Sequence, residues 1–196
     1  MRILYGVVGE GMGHATRSRV VIEHLIEAGH EVEIVVSGRA HGLLQEAFGS
    51  AGGAEVRRIH GLTMVYADNE VQKRLTVLSN LQGLNEGLPG NVATYFRSIE
   101  GFSPDVVISD FESWSYLYGK IHRVPVISID NMQVINRCQH PDELLAGNKK
   151  AFLLSKAIVK SKLPGAHHYF ATTFFFPPTR KDRTTLVPPI LRPEVF

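Results

Sequence analysis

The sequence predicts a doubly wound α/β fold with a mainly parallel sheet, Rossmann-like in layout. Three observations carry that prediction. Short apolar runs alternate with helical patterns along the chain; the first is continuously apolar, as strands covered on both faces are; and three of the runs stop abruptly in polar or ionisable residues.

Residues 3–8 form the first buried strand. A helix follows over 15–28, with Val21, Leu25 and Ala28 on one face and Gly29 closing it. Residues 32–36 read as the second strand, 39–48 as a short helix, and 55–59 as the third strand. Residues 61–73 read as irregular, with Tyr66 placed on the surface, and 75–99 as a long helical stretch interrupted near Gly87. Ser103-Pro104 announces a buried strand at 106–110, a helix covers 114–122, and 126–130 is the next strand. A basic helix is expected over 143–163 and closing strands over 168–172 and 185–187; His167-His168 reads as a strand start, not a metal site. Right-handed crossovers would put the polar ends after 8, 108 and 129 on one edge of the sheet, where ligands bind in such folds.

Composition narrows the class. A formal charge of +2, with 20% charged residues and no basic patch interleaved with aromatics, argues against a nucleic-acid partner. The lone Cys138 excludes an internal disulfide and a cysteine-based zinc site. With no leader pattern and no spanning run, the reading is a soluble cytoplasmic protein.

The chemistry concentrates in Gly9-Glu10-Gly11-Met12-Gly13-His14. Alternating glycines running into a helix bring a ligand close to backbone N–H groups, and histidine can move a proton near neutral pH. No lysine follows the last glycine, so this is not a P-loop; His14 stands where a dinucleotide fingerprint has glycine, and Ser37-Gly38-Arg39 closes the second strand in place of an acid, so of the dinucleotide readings only an NADP-type one survives. Asp110 ends a strand on the same predicted edge. It could orient the His14 ring, or each residue could simply cap its own helix. Spacing leaves both open.

The run from Gly9 to Ser18 resembles the first glycine-rich loop of GT-B glycosyltransferases, in the branch with MurG-like, family 28-like enzymes and a Gly-x-Gly-His-Ala-x-Arg start. Residues 106–110, 124–131 and 188–193 extend the resemblance over nearly the whole chain. It implies that residues 1–187 are the acceptor-binding domain and 188–196 the start of an interdomain linker, with the donor domain supplied in cis or in trans. The implied activity is hexosyl transfer from a nucleotide sugar, a co-substrate and not a resident cofactor, to a hydroxyl on a small-molecule or lipid acceptor, with no metal. His14 would be the general base and Asp110 its orienting partner. Glu10, Gly11, Met12, Gly13, Arg17, Asn131 and Met132 would meet acceptor or phosphate; Glu10 and Met12 depart from the small polar residues usual in MurG-like loops. Two alternatives are a UDP-sugar 2-epimerase-like enzyme and a stand-alone nucleotide- or phosphate-binding module.

Two segments carry further expectations. The lysines of the basic helix read as snorkelling from a helix laid on the sheet, with peripheral contact to the inner membrane face as the second reading. Phe174-Phe175-Phe176 reads as core plus an interface, and as a source of self-association when uncovered.

Overall fold

The computed structural model describes residues 1–9, 11–49, 53–61, 66–67, 70–71, 90–91, 93–94, 96 and 101–192, with backbone only at 66–67 and 70–71. Strands β1 (Arg2–Val7), β2 (Glu31–Val36), β3 (Ala54–Arg58), β6 (Val106–Asp110), β7 (Val126–Asp130), β8 (His168–Thr172) and β9 (Thr184–Val187) make one sheet in the order β3-β2-β1-β6-β7-β8-β9. Every pairing in it is parallel, so all C-terminal ends share one edge. From β1 the chain winds outward to β2 and β3, then returns to β6 and winds the other way. The switch point therefore lies between β1 and β6, whose register pairs Val7 with Asp110.

Helices cover both faces because both faces of the strands are apolar. On one, α1 (Met12–Glu27) and α2 (Ala40–Phe48) bury Ala15, Ile22, Leu44 and Phe48 against Ile3, Tyr5, Val7 and Ile34. On the other, α3 (Ser113–His122), α4 (Gln133–Arg137), α5 (Asp142–Leu145) and α6 (Lys149–Lys162) follow one another; Tyr116, Tyr118, Val159 and Leu163 pack there with Leu4, Val107 and Tyr169. Gly6 and Gly9 are glycines by packing. A Cβ at Gly6 would fall 2.0 Å from Ser115 Oγ, and one at Gly9 would fall 2.0 Å from the Ser37 carbonyl oxygen.

The structure corrects several expectations. Within 61–73, read as irregular, β4 (Tyr66–Ala67) and β5 (Glu70–Val71) pair antiparallel; two-residue strands are too short to leave a period in the sequence. The helical stretch at 75–99 falls largely outside the described residues, with helical backbone at Gly90, Asn91, Ala93, Thr94 and Phe96. Helix α4 has no counterpart in the sequence expectations; the buried Asp130 holds its first N–H, accepting from Gln133 at 2.9 Å. The single basic helix is two, because Gly147 takes a left-handed conformation (φ +79°) between α5 and α6. Only Val159 of α6 is buried, so the expectation that its apolar residues lie on the sheet holds for that residue alone. Phe174, Phe175 and Phe176 are exposed, not core. Thr173 Oγ1 accepts from Phe175 N and donates to the Phe175 carbonyl, a tight turn that lifts the three rings off the sheet.

Candidate active site

At the switch point the first turn of α1 lies over the end of β6. Gly11 is its N-cap in extended conformation with no side-chain cap, so His14 does not cap the helix. Nor does Asp110 cap the helix after its own strand: Glu112 does, accepting from Trp114 N at 2.7 Å and Ser115 N at 2.6 Å. Asp110 is fully buried and turns toward α1. Its Oδ1 lies 2.7 Å from His14 Nδ1 and accepts from Arg17 Nη2 at 2.6 Å; its Oδ2 accepts from Arg17 Nε at 3.0 Å and from Ser18 Oγ at 2.8 Å. His14, Arg17 and Ser18 are spaced i, i+3, i+4, the residues one helix face presents together. Ser18 carried no sequence prediction, though that spacing from His14 was its signal.

The carboxylate beside Nδ1 favours one tautomer of the neutral ring. Arg17 Nη2 also lies 2.8 Å from His14 Nδ1. An unprotonated Nδ1 would set its lone pair against a carboxylate oxygen; a protonated Nδ1 lets two donors converge on Oδ1. In the second arrangement His14 Nδ1 and Arg17 Nη2 both donate to Oδ1, so their own 2.8 Å separation is a close approach of two donors to one shared acceptor and not a hydrogen bond; it leaves the lone pair on Nε2.

Charge is tightly balanced here. Burial pushes the Asp110 carboxyl up, but the His14 hydrogen bond and the Arg17 charge outweigh it and hold the group below the usual carboxylate range. Burial likewise works against the Arg17 cation, and Asp110 overcomes it, raising Arg17. Asp130, fully buried at the end of the neighbouring strand, has no directly hydrogen-bonded cation among the described residues. Burial raises it to about 6, with Asp110 adding to the rise while hydrogen bonds from Ser128 and Gln133 N oppose it. Burial also pushes the Tyr5 phenol well above its ordinary range, with the Asp110 charge second.

Phe111 completes the floor. It holds a left-handed backbone (φ 56°), unusual for a non-glycine residue, and its ring stacks on His14 with centroids 6.4 Å apart. Such a conformation costs about 1–2 kcal/mol. Ser109 locks the turn, its Oγ accepting from Glu112 N at 2.9 Å and donating to the Glu112 carbonyl at 2.7 Å.

A cleft of about 470 Å³ opens beside this group, lined among others by Gly13, Arg17, Asn131, Ile135, Phe174 and Leu191. A smaller one, about 190 Å³, lies across β1, with Ser37, His60, Asn91, Trp114 and Lys162 on its walls. Of the predicted site residues, the structure joins His14, Asp110 and Arg17 directly, and sets Gly13 and Asn131 in the larger cleft with Arg17. A Cβ at Gly13 would meet nothing within 4 Å, and Met12 is exposed. Met132 is different: it packs against the core cluster of Phe111 and Tyr116. Glu10 lies outside the described residues, as does the side chain of Tyr66. Among the described residues no group of three His, Cys, Asp or Glu side chains is placed to hold a metal ion.

Residues 1–196 match the family model described as glycosyl transferase family 1. The chain belongs to this family. An uncharacterized glycosyltransferase of Methanosarcina mazei is 31% identical over 129 residues, covering 66% of this chain and 32% of the relative, and one from Methanosarcina acetivorans is 29% identical over 130 residues, covering 66% and 31%. The chain thus spans about a third of the length of the curated relatives it matches. Among solved structures, Acinetobacter baumannii MurG superposes with a TM-score of 0.51 at 13% identity, over 95% of this chain and 44% of MurG. Arabidopsis thaliana UGT89C1 complexed with UDP gives 0.59 at 12%, over 98% and 50%. The family 1 chain therefore has the Rossmann-like fold of the GT-B glycosyltransferase N-terminal domain.

Proposed function

We propose that this domain binds and activates the acceptor in a glycosyltransferase that moves a sugar from a nucleotide-sugar donor to a hydroxyl group. The observation that carries the reading is the constellation at the switch point in which half-buried His14 and Arg17 and buried Ser18 meet the buried Asp110 carboxylate, in a chain that belongs to glycosyl transferase family 1. The lone pair on His14 Nε2 takes the acceptor hydroxyl proton as the oxygen bonds to the anomeric carbon. The bond from that carbon to the donor diphosphate breaks, and the nucleotide diphosphate leaves. Asp110 is a positioning residue: it fixes the tautomer and steadies the imidazolium as the proton arrives. Arg17 and Ser18 hold Asp110, while the Met12 and Gly13 amides, orphaned at the start of α1, face phosphate or acceptor oxygens. In this reading the nucleotide sugar is a co-substrate, and the steps given use neither a resident cofactor nor a metal.

The test is turnover by the complete enzyme containing this chain, with donor hydrolysis and product sugars followed separately. His14→Ala is expected to lower kcat about 10²–10⁴-fold. Asp110→Asn should also lower kcat and change the pH profile, which a purely structural aspartate would leave unmoved. Unchanged turnover in His14→Ala would reject the base assignment. Conversion of nucleotide sugar without any acceptor would instead assign the 2-epimerase reaction.

A further inference from the structure

We propose that helix α6 forms a docking face for an anionic lipid surface. Leu153, Leu154 and Ile158 are large apolar side chains exposed at 54%, 49% and 41%. They are not a core stripe out of place, because α6 buries Val159 in the core cluster and packs against α4. Lys150 stands one turn before Leu153 and Leu154, so the helix presents leucine and lysine on a shared outer face. That mixture suits a helix lying in a headgroup layer, with apolar side chains among the acyl chains and ammonium groups among the phosphates.

The charge pattern independently points to an anionic partner. Helix α6 carries five lysines and no acidic residue. Lys149 and Lys150 occupy its first turn, where the helix dipole disfavours cations, and Asn148 supplies no side-chain cap. Lys149 pairs with Asp142 only loosely, at 3.9 Å with both side chains exposed. Further along, Lys156 and Lys160 lie within electrostatic reach of Lys181, and Lys156 also of Arg180; Arg137, stacked on Tyr169 and 7% exposed, belongs to the interior and not to this face. Burial and then the neighbouring cations push Lys181 down, and burial and then Arg180 do the same to Lys156. Like charges gathered at this cost are relieved by an anionic surface, and each lysine near one adds about fivefold to binding. Among the described residues no helix is long and apolar enough to cross a membrane, so the contact is peripheral.

The experiment is co-sedimentation of the chain with large unilamellar vesicles of phosphatidylcholine alone, or of phosphatidylcholine with about 30% phosphatidylglycerol, at about 0.1 M and 0.5 M salt. Binding is expected to the anionic vesicles only, and to weaken at high salt. Lys149→Gln/Lys150→Gln should reduce partitioning about 25-fold, and Leu153→Ser/Leu154→Ser at least tenfold. All four sites are exposed, and unchanged circular dichroism spectra confirm that the variants fold. The proposal is overturned if anionic vesicles fail to pellet the chain, or if both double variants bind undiminished. Loss of binding on Phe174→Ser/Phe175→Ser alone would overturn it by moving the contact to the sheet edge. So would concentration-dependent dimerisation abolished by Leu153→Ser/Leu154→Ser without vesicle binding, which would assign the face to a second copy of the chain.

Discussion

Two buried aspartates on adjacent strands respond to pH with opposite sign. Asp110, held below the usual range by His14 and Arg17, contributes stability that is present above its unfolded pKa near 4 and is lost as pH falls through the folded value. Asp130 does the reverse. With its folded pKa raised from 3.8 to about 6, the native state keeps its proton longer than the unfolded chain, so stability falls as pH rises across that window. Melting temperature followed over this range should decline in the wild type and stay flatter in Asp130→Asn; parallel curves would show that Asp130 titrates normally. Arg17→Gln leaves Asp110 buried without its full countercharge and should cost about 3 kcal/mol in urea unfolding. A loss under about 1 kcal/mol would mean that Asp110 is not held there as an anion.

At the scale of elements, the glycines of the loop divide by function. Gly9 N donates to Ser37 Oγ at 2.9 Å, and the strand ends of β1 and β2 touch there with no room for a side chain. Gly9→Ala should therefore destabilise by about 1–3 kcal/mol through overpacking. Gly13 sits inside α1, where a Cβ would point into open space, so Gly13→Ala should stabilise the helix by up to about 1 kcal/mol. If Gly13 faces bound ligand, the same variant should lose transfer activity while its melting temperature rises. Full activity in that variant would remove Gly13 from the site. Comparable reasoning explains why α4 escaped the sequence: five residues with no apolar period are held by one carboxylate, Asp130, which itself read only as a strand end.

For the molecule as a whole, a net charge of +2 hides an uneven distribution. Acidic groups mark the Glu33–Arg57 and Arg19–Glu23 pairs around β2, β3 and α1, while α6 has lysines without acids and faces the cations Arg180 and Lys181. Apolar exposure is uneven too, with Phe174, Phe175 and Phe176 at 82%, 66% and 59%, the first two on the rim of the larger cleft. Sedimentation velocity at rising concentration should show self-association that Phe174→Ser/Phe175→Ser/Phe176→Ser reduces. As the rings touch little of the core, stability should change by no more than about 0.5 kcal/mol. Persistence of the larger species in that triple variant would place the contact elsewhere.

The fold class and the positions of β1, β6, β7 and β8 were legible in order and type, because buried parallel strands write continuous apolar runs and both faces demand them. The glycine loop and the polar residues closing β1, β6 and β7 were legible for the same reason: chemistry follows where an apolar run stops. Spacing alone did not choose between two capping residues and one hydrogen-bonded pair. That choice depended on Glu112 capping α3, on Asp110 lying beside β1 in register, and on Arg17 and Ser18 sharing the His14 face of α1. These are through-space facts, set by strand order and helix packing, and no local period in the chain encodes them. The same holds for α6, whose pattern of lysines and leucines was plain in the sequence while the side it turns to the sheet was not.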